Sequence, residues 1–487
     1  MKLLNKSDDE VSILCLPKEN LAKGDYLLIE GEENKAMIVQ VYDLSYYNLS
    51  GFEEDIIREE VIMNILQGVE KSSPLFSNIT ETLKDLILAK CKIRNYRRIN
   101  CIPSRSKATI RKLQPKELDD LINDKNFDSF LVGYLYEKYP YHITLDKLDG
   151  SLNLITGKKG SGKSHLAKVL ISGLLRAGAK VIIFDLNNEY SGLVSEKDEQ
   201  PNEQYQKVLL LEPGKSLRFT FEYLGLKSVC DVLQNILELP TISLREFIRI
   251  WEYLEQRNLL TLYDFINFTK ETRLNDFIKE AIISRLHTLL LSNLITERNS
   301  LSFEFEDLLN KEEGIALIFS LASLNPLYRK MVVELALSKL TDLLEKNLIP
   351  PLFLFAEEAH LYLRETYWDD MVTRMRHFGI FTTFITNQPK AIKESILKQL
   401  DNLFIFKLVN TSDIDFLSNI CNIDSDSIRA LVKDLRLGEC LALGKVSKEL
   451  PLLISVIDTP FKAMGETKLF FKKRPFSQKL NISSSFA

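Results

Sequence analysis

From residue 150 onward the apolar positions of this chain fall in short continuous runs rather than alternating ones: Leu152 to Thr156, KVIIFD (180–185), KVLLLEP (207–213), GIALIFSL (314–321), PLFLFAE (351–357), GIFTTFIT (379–386) and LFIFKLV (403–409). Runs of this length, bounded by turn residues, are strands with both faces buried, as in a mostly parallel sheet covered by helices. Helical spacing follows the first run at Leu166, Leu170, Gly173 and Leu174, and Gly178 supplies the stop. Between about 223 and 312 the pattern becomes wholly helical, as in LREFIRIWEYLEQ, and predicts an insertion within an α/β core that resumes over 313–460.

The first 125 residues read differently. VSILCL, KGDYLLIEG and KAMIVQVYDL are short strands punctuated by Gly24 and Gly31, with a further strand near Ala108 to Leu113 and one helix over Glu53 to Gln67. They predict a small N-terminal β-barrel (1–125). The first part of the core then runs over 126–222, and residues 461–487 form a tail.

Composition narrows the class. At 487 residues the chain exceeds one compact core, and its 45% hydrophobic content is ordinary for globular domains. No apolar run approaches the ~18 residues of a membrane span, and MKLLNKSDDE turns acidic too early for a signal peptide, so a cytoplasmic protein is expected. The six cysteines show no metal-ligand spacing and are expected as buried free thiols. The net charge of −4 conceals two basic stretches: nine Lys/Arg and no acid over 91–116, and six Lys/Arg against one Glu over 461–481. Each is either a solvated surface or a nucleic-acid contact.

The chemistry concentrates at ITGKKGSGKSH. Gly157, Gly162, Lys163 and Ser164 form the pattern G-x-x-x-x-G-K-[S/T] between a strand and a helix, the setting that a P-loop requires. The backbone from Gly157 through Lys158, Lys159, Gly160, Ser161 and Gly162 to His165 wraps a phosphate chain, Lys163 reaches the β and γ phosphates, and Ser164 ligates Mg²⁺. ATP and Mg²⁺ are therefore the expected cofactors. Past the buried strand PLFLFA stand Glu357 and Glu358, where the first acid holds the Mg²⁺ shell through water and the second polarises the attacking water. The next strand ends in TNQP, making Asn387, with Gln388 second, the expected γ-phosphate sensor on a strand lying between the P-loop strand and the Glu357 strand. Arg374 and Arg376 of TRMRHFG are candidates for the cation that neutralises developing phosphoryl charge.

With these motifs in view, the chain resembles HerA-type ATPases of the FtsK-HerA superfamily over nearly its whole length. The matching elements are ITGKKGSGKS, VIIFDLNNEY, FLFAEEAH, MRHFGIFTTFITNQP and LRLGECLALG, and KGDYLLIEG resembles the start of the family's HAS barrel. The resemblance implies a RecA-like core and a hexameric ring translocase on duplex DNA. It further implies a NurA-type nuclease or another effector as partner, in end processing or defence. It also places Asp185 and Glu189 near the nucleotide and makes Arg376 the finger that reaches a neighbouring subunit, with Arg374 next. The family's GRKFG is matched at Arg376, Phe378 and Gly379 with His377 in place of Lys, and TNQP replaces the more usual glutamine-arginine-proline. DNA contact falls on the short segment after the double Glu, at Arg364, Tyr367 and Trp368, where cationic and stacking groups mix. An ATP-gated scaffold that regulates an effector without moving along DNA is the alternative.

Overall fold

The computed structural model describes residues 1–31, 36–47, 85–96, 104–105, 107–122, 127–194, 207–311, 313–363, 374–420 and 424–459. The Glu53–Gln67 helix, the Arg364/Tyr367/Trp368 segment and the tail from 461 lie outside these residues, as does part of the 91–116 basic run.

The N-terminal region is a six-stranded antiparallel half-barrel built from β1 (Lys2–Ser7), β2 (Glu10–Cys15), β3 (Tyr26–Glu30), β4 (Ala36–Tyr46), β5 (Ile87–Tyr96) and β6 (Thr109–Lys112), in the order β1-β2-β5-β4-β3-β6. Sequence patterning had found β2, β3, β4 and β6. It did not find β1, or β5, whose alternate positions carry Lys90, Lys92 and Arg94 and so read as a charge run. Inward-facing Val11, Ile13, Leu27, Ile29, Val39, Val41 and Ala89 form this sheet's own core.

The second sheet has eleven strands. Seven are parallel: β11 (Val208–Leu211), β12 (Ile315–Ser320), β10 (Lys180–Asp185), β13 (Leu352–Glu357), β14 (Ile380–Thr386), β9 (Asn153–Thr156) and β15 (Asn402–Phe406), side by side in that order. Four more continue the sheet antiparallel: β16 (Glu439–Gly444), β17 (Leu452–Val456), β7 (Ser129–Leu135) and β8 (Tyr139–Thr144). The extra strand β14 does separate the P-loop strand β9 from β13, as the motif order required.

Alternate residues of one strand feed two cores, which is why the runs are apolar throughout. Ile182 and Phe184 pack with the insertion and with helix Pro326–Glu345, whereas Val181 and Ile183 pack with the P-loop helix Lys163–Arg176. The insertion, between β11 and β12, holds helices Phe221–Asn235, Thr241–Glu255, Leu262–Glu271 and Asp276–Leu291 around Trp251, whose ring meets Phe221, Phe247 and Phe265.

The half-barrel is fastened to the core by polar groups. Tyr26 Oη and Gln40 Nε2 both donate to the Pro451 carbonyl, at 2.7 and 2.8 Å. Arg94 donates to Gln40 Oε1 (3.1 Å) and Ser427 Oγ (2.8 Å) and lies 3.6 Å from the Asp424 carboxylate, which Lys92 also approaches at 3.6 Å. Farther along the same basic run, Arg111 pairs with Glu117 and Lys112 with Asp25. Four cations of that run are thus committed within the chain, and two of them hold the junction. Because Arg94 is largely buried, with its side chain 9% exposed, Arg94→Met strands its acceptors and should cost on the order of 3 kcal/mol. Thermal unfolding reads this as a transition several degrees lower; an unchanged transition would remove the junction's dependence on Arg94.

Candidate nucleotide site

The phosphate loop follows from backbone freedom and one close contact. Gly157, Gly160 and Gly162 have φ of +150°, +75° and +119°. A Cβ on Gly157 would lie 2.5 Å from Phe406 Cβ, and one on Gly162 would lie 2.9 Å from the Phe406 ring. Phe406, the last residue of β15, therefore presses against a surface that only glycine can offer. The helix that starts at Lys163 has no side-chain cap, which leaves its first N–H groups free for an anion. Lys163 Nζ meanwhile donates to the carbonyls of Gly157 (2.9 Å) and Lys158 (3.1 Å), so its ammonium lies across the loop mouth.

Facing it is a group of carboxylates at the carboxyl edge of the sheet. The register sets Glu357 beside Ile385 and Thr386 beside Thr156, bringing the double Glu and the end of β14 to the P-loop. Glu357 is 4% exposed, and accepts from the amides of Leu186 and Asn187 (3.2 Å each) and from Asn187 Nδ2 (3.0 Å). Burial, with the Glu189 and Asp185 charges, pushes its pKa up to about 8 against the Asn187 hydrogen bonds. Asp185 is also raised by burial and accepts from the amides of Glu189 (3.0 Å) and Tyr190 (2.9 Å).

Glu358 is placed by strain. Its φ of +44° is rare for a non-glycine residue and turns its side chain toward the end of β14. There Thr386 Oγ1 donates to Oε2 at 2.6 Å and the Asn387 amide donates to Oε1 at 3.1 Å, while its own N–H donates to the Ile385 carbonyl at 2.7 Å. Two of its carboxylate contacts thus come from the strand that was expected to sense γ phosphate.

One cleft of about 1270 Å³ joins these groups, lined among others by Lys159, Gly160, Gly162, Lys163, Ser164, His165, Glu189, Glu357, Glu358, Asn387 and Gln388. Lys158, Ser161 and Asp185 lie just behind it. Sequence reading missed Thr386, the Asn187 clamp on Glu357, and Lys168. The last is one helical turn beyond Ser164 and 7% exposed, its pKa lowered by burial against the raising charges of Glu189, Asp185 and Glu357. A period-four step from the P-loop serine was the available signal.

Arg374 and Arg376 are not brought to this cleft. Both precede β14, at the opposite edge of the sheet from its carboxyl end. Arg376 donates to the Gly150 carbonyl (2.8 Å) and pairs with Asp401 (2.9 Å), and Arg374 pairs with Glu345. Neither lines the cleft.

The donor set fits Mg²⁺. It consists of hard oxygens, from the Ser164 hydroxyl with Glu357 and Asp185 behind it. The buried Tyr190 hydroxyl lies beside the Ser164 hydroxyl. Ser164 would hold the ion directly and Glu357 through water, and the ion would neutralise phosphate charge. Because the folded-state pKa of Glu357 exceeds its ordinary 4.5, the nucleotide-free protein binds this proton more tightly than the unfolded chain does. Stability from it is full below about pH 4.5 and is lost as pH rises toward 8. Glu357→Gln should therefore melt higher than the parent at pH 8.5 and nearly level with it at pH 5; equal melting differences at both pH values would contradict the burial argument.

Comparison with known proteins agrees with this geometry. The family model "Helicase HerA, central domain" matches residues 130–340. The DNA double-strand break repair helicase HerA of Saccharolobus solfataricus is 22% identical over 429 residues, covering 83% of each chain. That of Sulfolobus acidocaldarius is 25% identical over 346 residues, 64% of this chain and 66% of its own. Among solved structures, VirB4 of Thermoanaerobacter pseudethanolicus superimposes with a TM-score of 0.53 at 13% identity, over 70% of this chain and 98% of that one. The plasmid coupling protein TrwB in complex with a non-hydrolysable ATP analogue gives 0.50 at 13%, over 73% and 95%. With its P-loop, a double Glu held by β14 and an antiparallel half-barrel ahead of them, the chain is a P-loop ATPase that is similar over much of its length to the HerA helicases.

Proposed function

We propose that this ATPase is the motor of a DNA-processing machine: a cytoplasmic hexameric ring that moves along duplex DNA and delivers it to a NurA-type nuclease or another effector. The observation that carries the reading is the tie between Glu358 and Thr386/Asn387. It puts the water-polarising carboxylate and the end of the sensor strand on one hydrogen-bonded unit, so loss of the γ phosphate is felt by the group that caused it. Relatives named as DNA double-strand break repair helicases support DNA as the track. The net charge of −4 is compatible with it, because only inward-facing groups of a ring need be basic. In this reading the chain divides into a docking half-barrel (1–125), a core (126–222 and 313–460), a helical insertion (223–312) and a tail.

In the reaction, Lys163 swings from the Gly157 and Lys158 carbonyls to the β and γ phosphates, and the free amides of the loop and helix hold the chain of phosphates. Glu358 orients water in line with the γ phosphorus and accepts its proton. Asn387 and Gln388 face the leaving phosphate.

Lys163→Ala should lose ATP binding, whereas Glu358→Gln should bind ATP and lose at least a hundredfold in turnover. In the parent, linear duplex should stimulate ATP hydrolysis several-fold. Absence of stimulation would favour the ATP-gated scaffold, and wild-type turnover in Glu358→Gln would reverse the roles of the two glutamates.

Since Arg374 and Arg376 lie away from their own cleft, we further propose that one of them completes the site of the adjacent subunit. Arg376→Ala and Lys163→Ala proteins, each nearly inactive, should regain activity when mixed, because an intact P-loop then faces an intact arginine. No recovery despite demonstrated subunit exchange would assign Arg376 a purely structural role through Asp401.

A further inference from the structure

The P-loop helix carries a second lysine into the cleft. Lys168 stands one turn beyond Ser164 and lines the cleft with Ser164, Glu189 and Glu357, yet the residue is only 7% exposed. The helix packs against β10, which ends at Asp185, and against the turn that follows Glu189. Lys163 commits its ammonium to the carbonyls of Gly157 and Lys158. Among the described residues, Lys168 has neither a hydrogen bond nor an ion pair.

A buried lysine without a partner is costly, and proteins ordinarily carry its head to water or pair it with an acid. Here burial lowers the pKa of Lys168, and the charges of Glu189, Asp185 and Glu357 raise it from beyond pairing distance. The arrangement suits a group held for a ligand. Its effect depends on what enters. Carboxylate oxygens and the Ser164 hydroxyl would by themselves gather a divalent ion from solution. A fixed positive charge beside them repels a free dication, and it attracts the same ion once triphosphate oxygens have reversed the net charge of the complex.

Resting on the Mg²⁺-ATP reading above, we propose that Lys168 is a built-in counter-cation on the metal side of the cleft. It makes the acidic group a poor site for a free divalent ion and a good one for an ion that a triphosphate already carries. Metal and nucleotide then enter together. The cleft is kept from filling with metal alone, which would occupy the carboxylates before any phosphate had bound.

The test is binding of Mn²⁺, as the metal alone, to the nucleotide-free full chain, read from the electron paramagnetic resonance signal of the free ion. Lys168→Met should bind Mn²⁺ about tenfold or more tightly than the parent, and Lys168→Gln should do the same. Lys168→Arg, which keeps the charge, should match the parent. Adding Glu357→Gln to Lys168→Met should remove most of the gain, which ties the ion to this cluster. Parent-like Mn²⁺ affinity in folded Lys168→Met and Lys168→Gln would overturn the proposal. So would a gain that survives Glu357→Gln, or one that Lys168→Arg shares, because neither comes from the charge beside these carboxylates. No nucleotide is present in this titration, and the ATP reading fails separately, if Lys163→Ala binds ATP as the parent does.

Discussion

Charge crowding governs the site. Asp185, Glu189, Glu357 and Glu358 converge on a cleft where the buried Lys163 and Lys168 answer them, and burial raises the pKa of Asp185 and Glu357 while lowering that of both lysines. Such a cluster is costly when empty, since the charged forms lack water to solvate them. A divalent ion with its phosphates would relieve the carboxylates and engage Lys163 at once. Such binding would change the electrostatics of every element that ends at this edge: β10, β13, β14 and the P-loop helix.

The scaffold that sustains this crowding is a sheet with two dry faces. Neighbouring residues of β10 and β13 feed separate cores, so the strands cannot slip by one position without driving apolar side chains into the wrong layer. That rigidity keeps Glu358 in a left-handed conformation and holds Phe406 against the glycines of the loop. The antiparallel strands β16 and β17 extend the same rigidity past the phosphates to the outer end of the cleft, through hydrogen bonds to Ser161 and His165. Beyond them, Pro451, Asp424 and Ser427 carry the contacts to the half-barrel, so a continuous set of packed elements links the nucleotide to the N-terminal region.

Much of this was readable in the chain because it depends on local chemistry. A phosphate loop needs glycine where φ is positive and lysine at a set distance, and both parallel-sheet burial and helical cover leave their periods in the apolar pattern. The seven buried strands, the P-loop, the paired glutamates and each helix of the insertion are all properties of segments shorter than about twenty residues. So were the sequence's silences: β5 hides because a strand that spends its polar positions on ion pairs looks like a basic loop.

What the tertiary structure alone decided is which distant groups meet. Thr386 and Glu358 are 28 positions apart and share a hydrogen bond only because β14 lies beside β13, and Asn187 reaches Glu357 across 170 positions through the pairing of β10 with β13. The same folding sends Arg374 and Arg376, adjacent in sequence to the sensor strand, to the edge of the sheet away from the phosphates, since a strand carries its two ends to opposite sides. Local pattern determines that a segment is a strand or a loop. The order of strands, which depends on how all the apolar faces are buried together, determines whose side chains share a site.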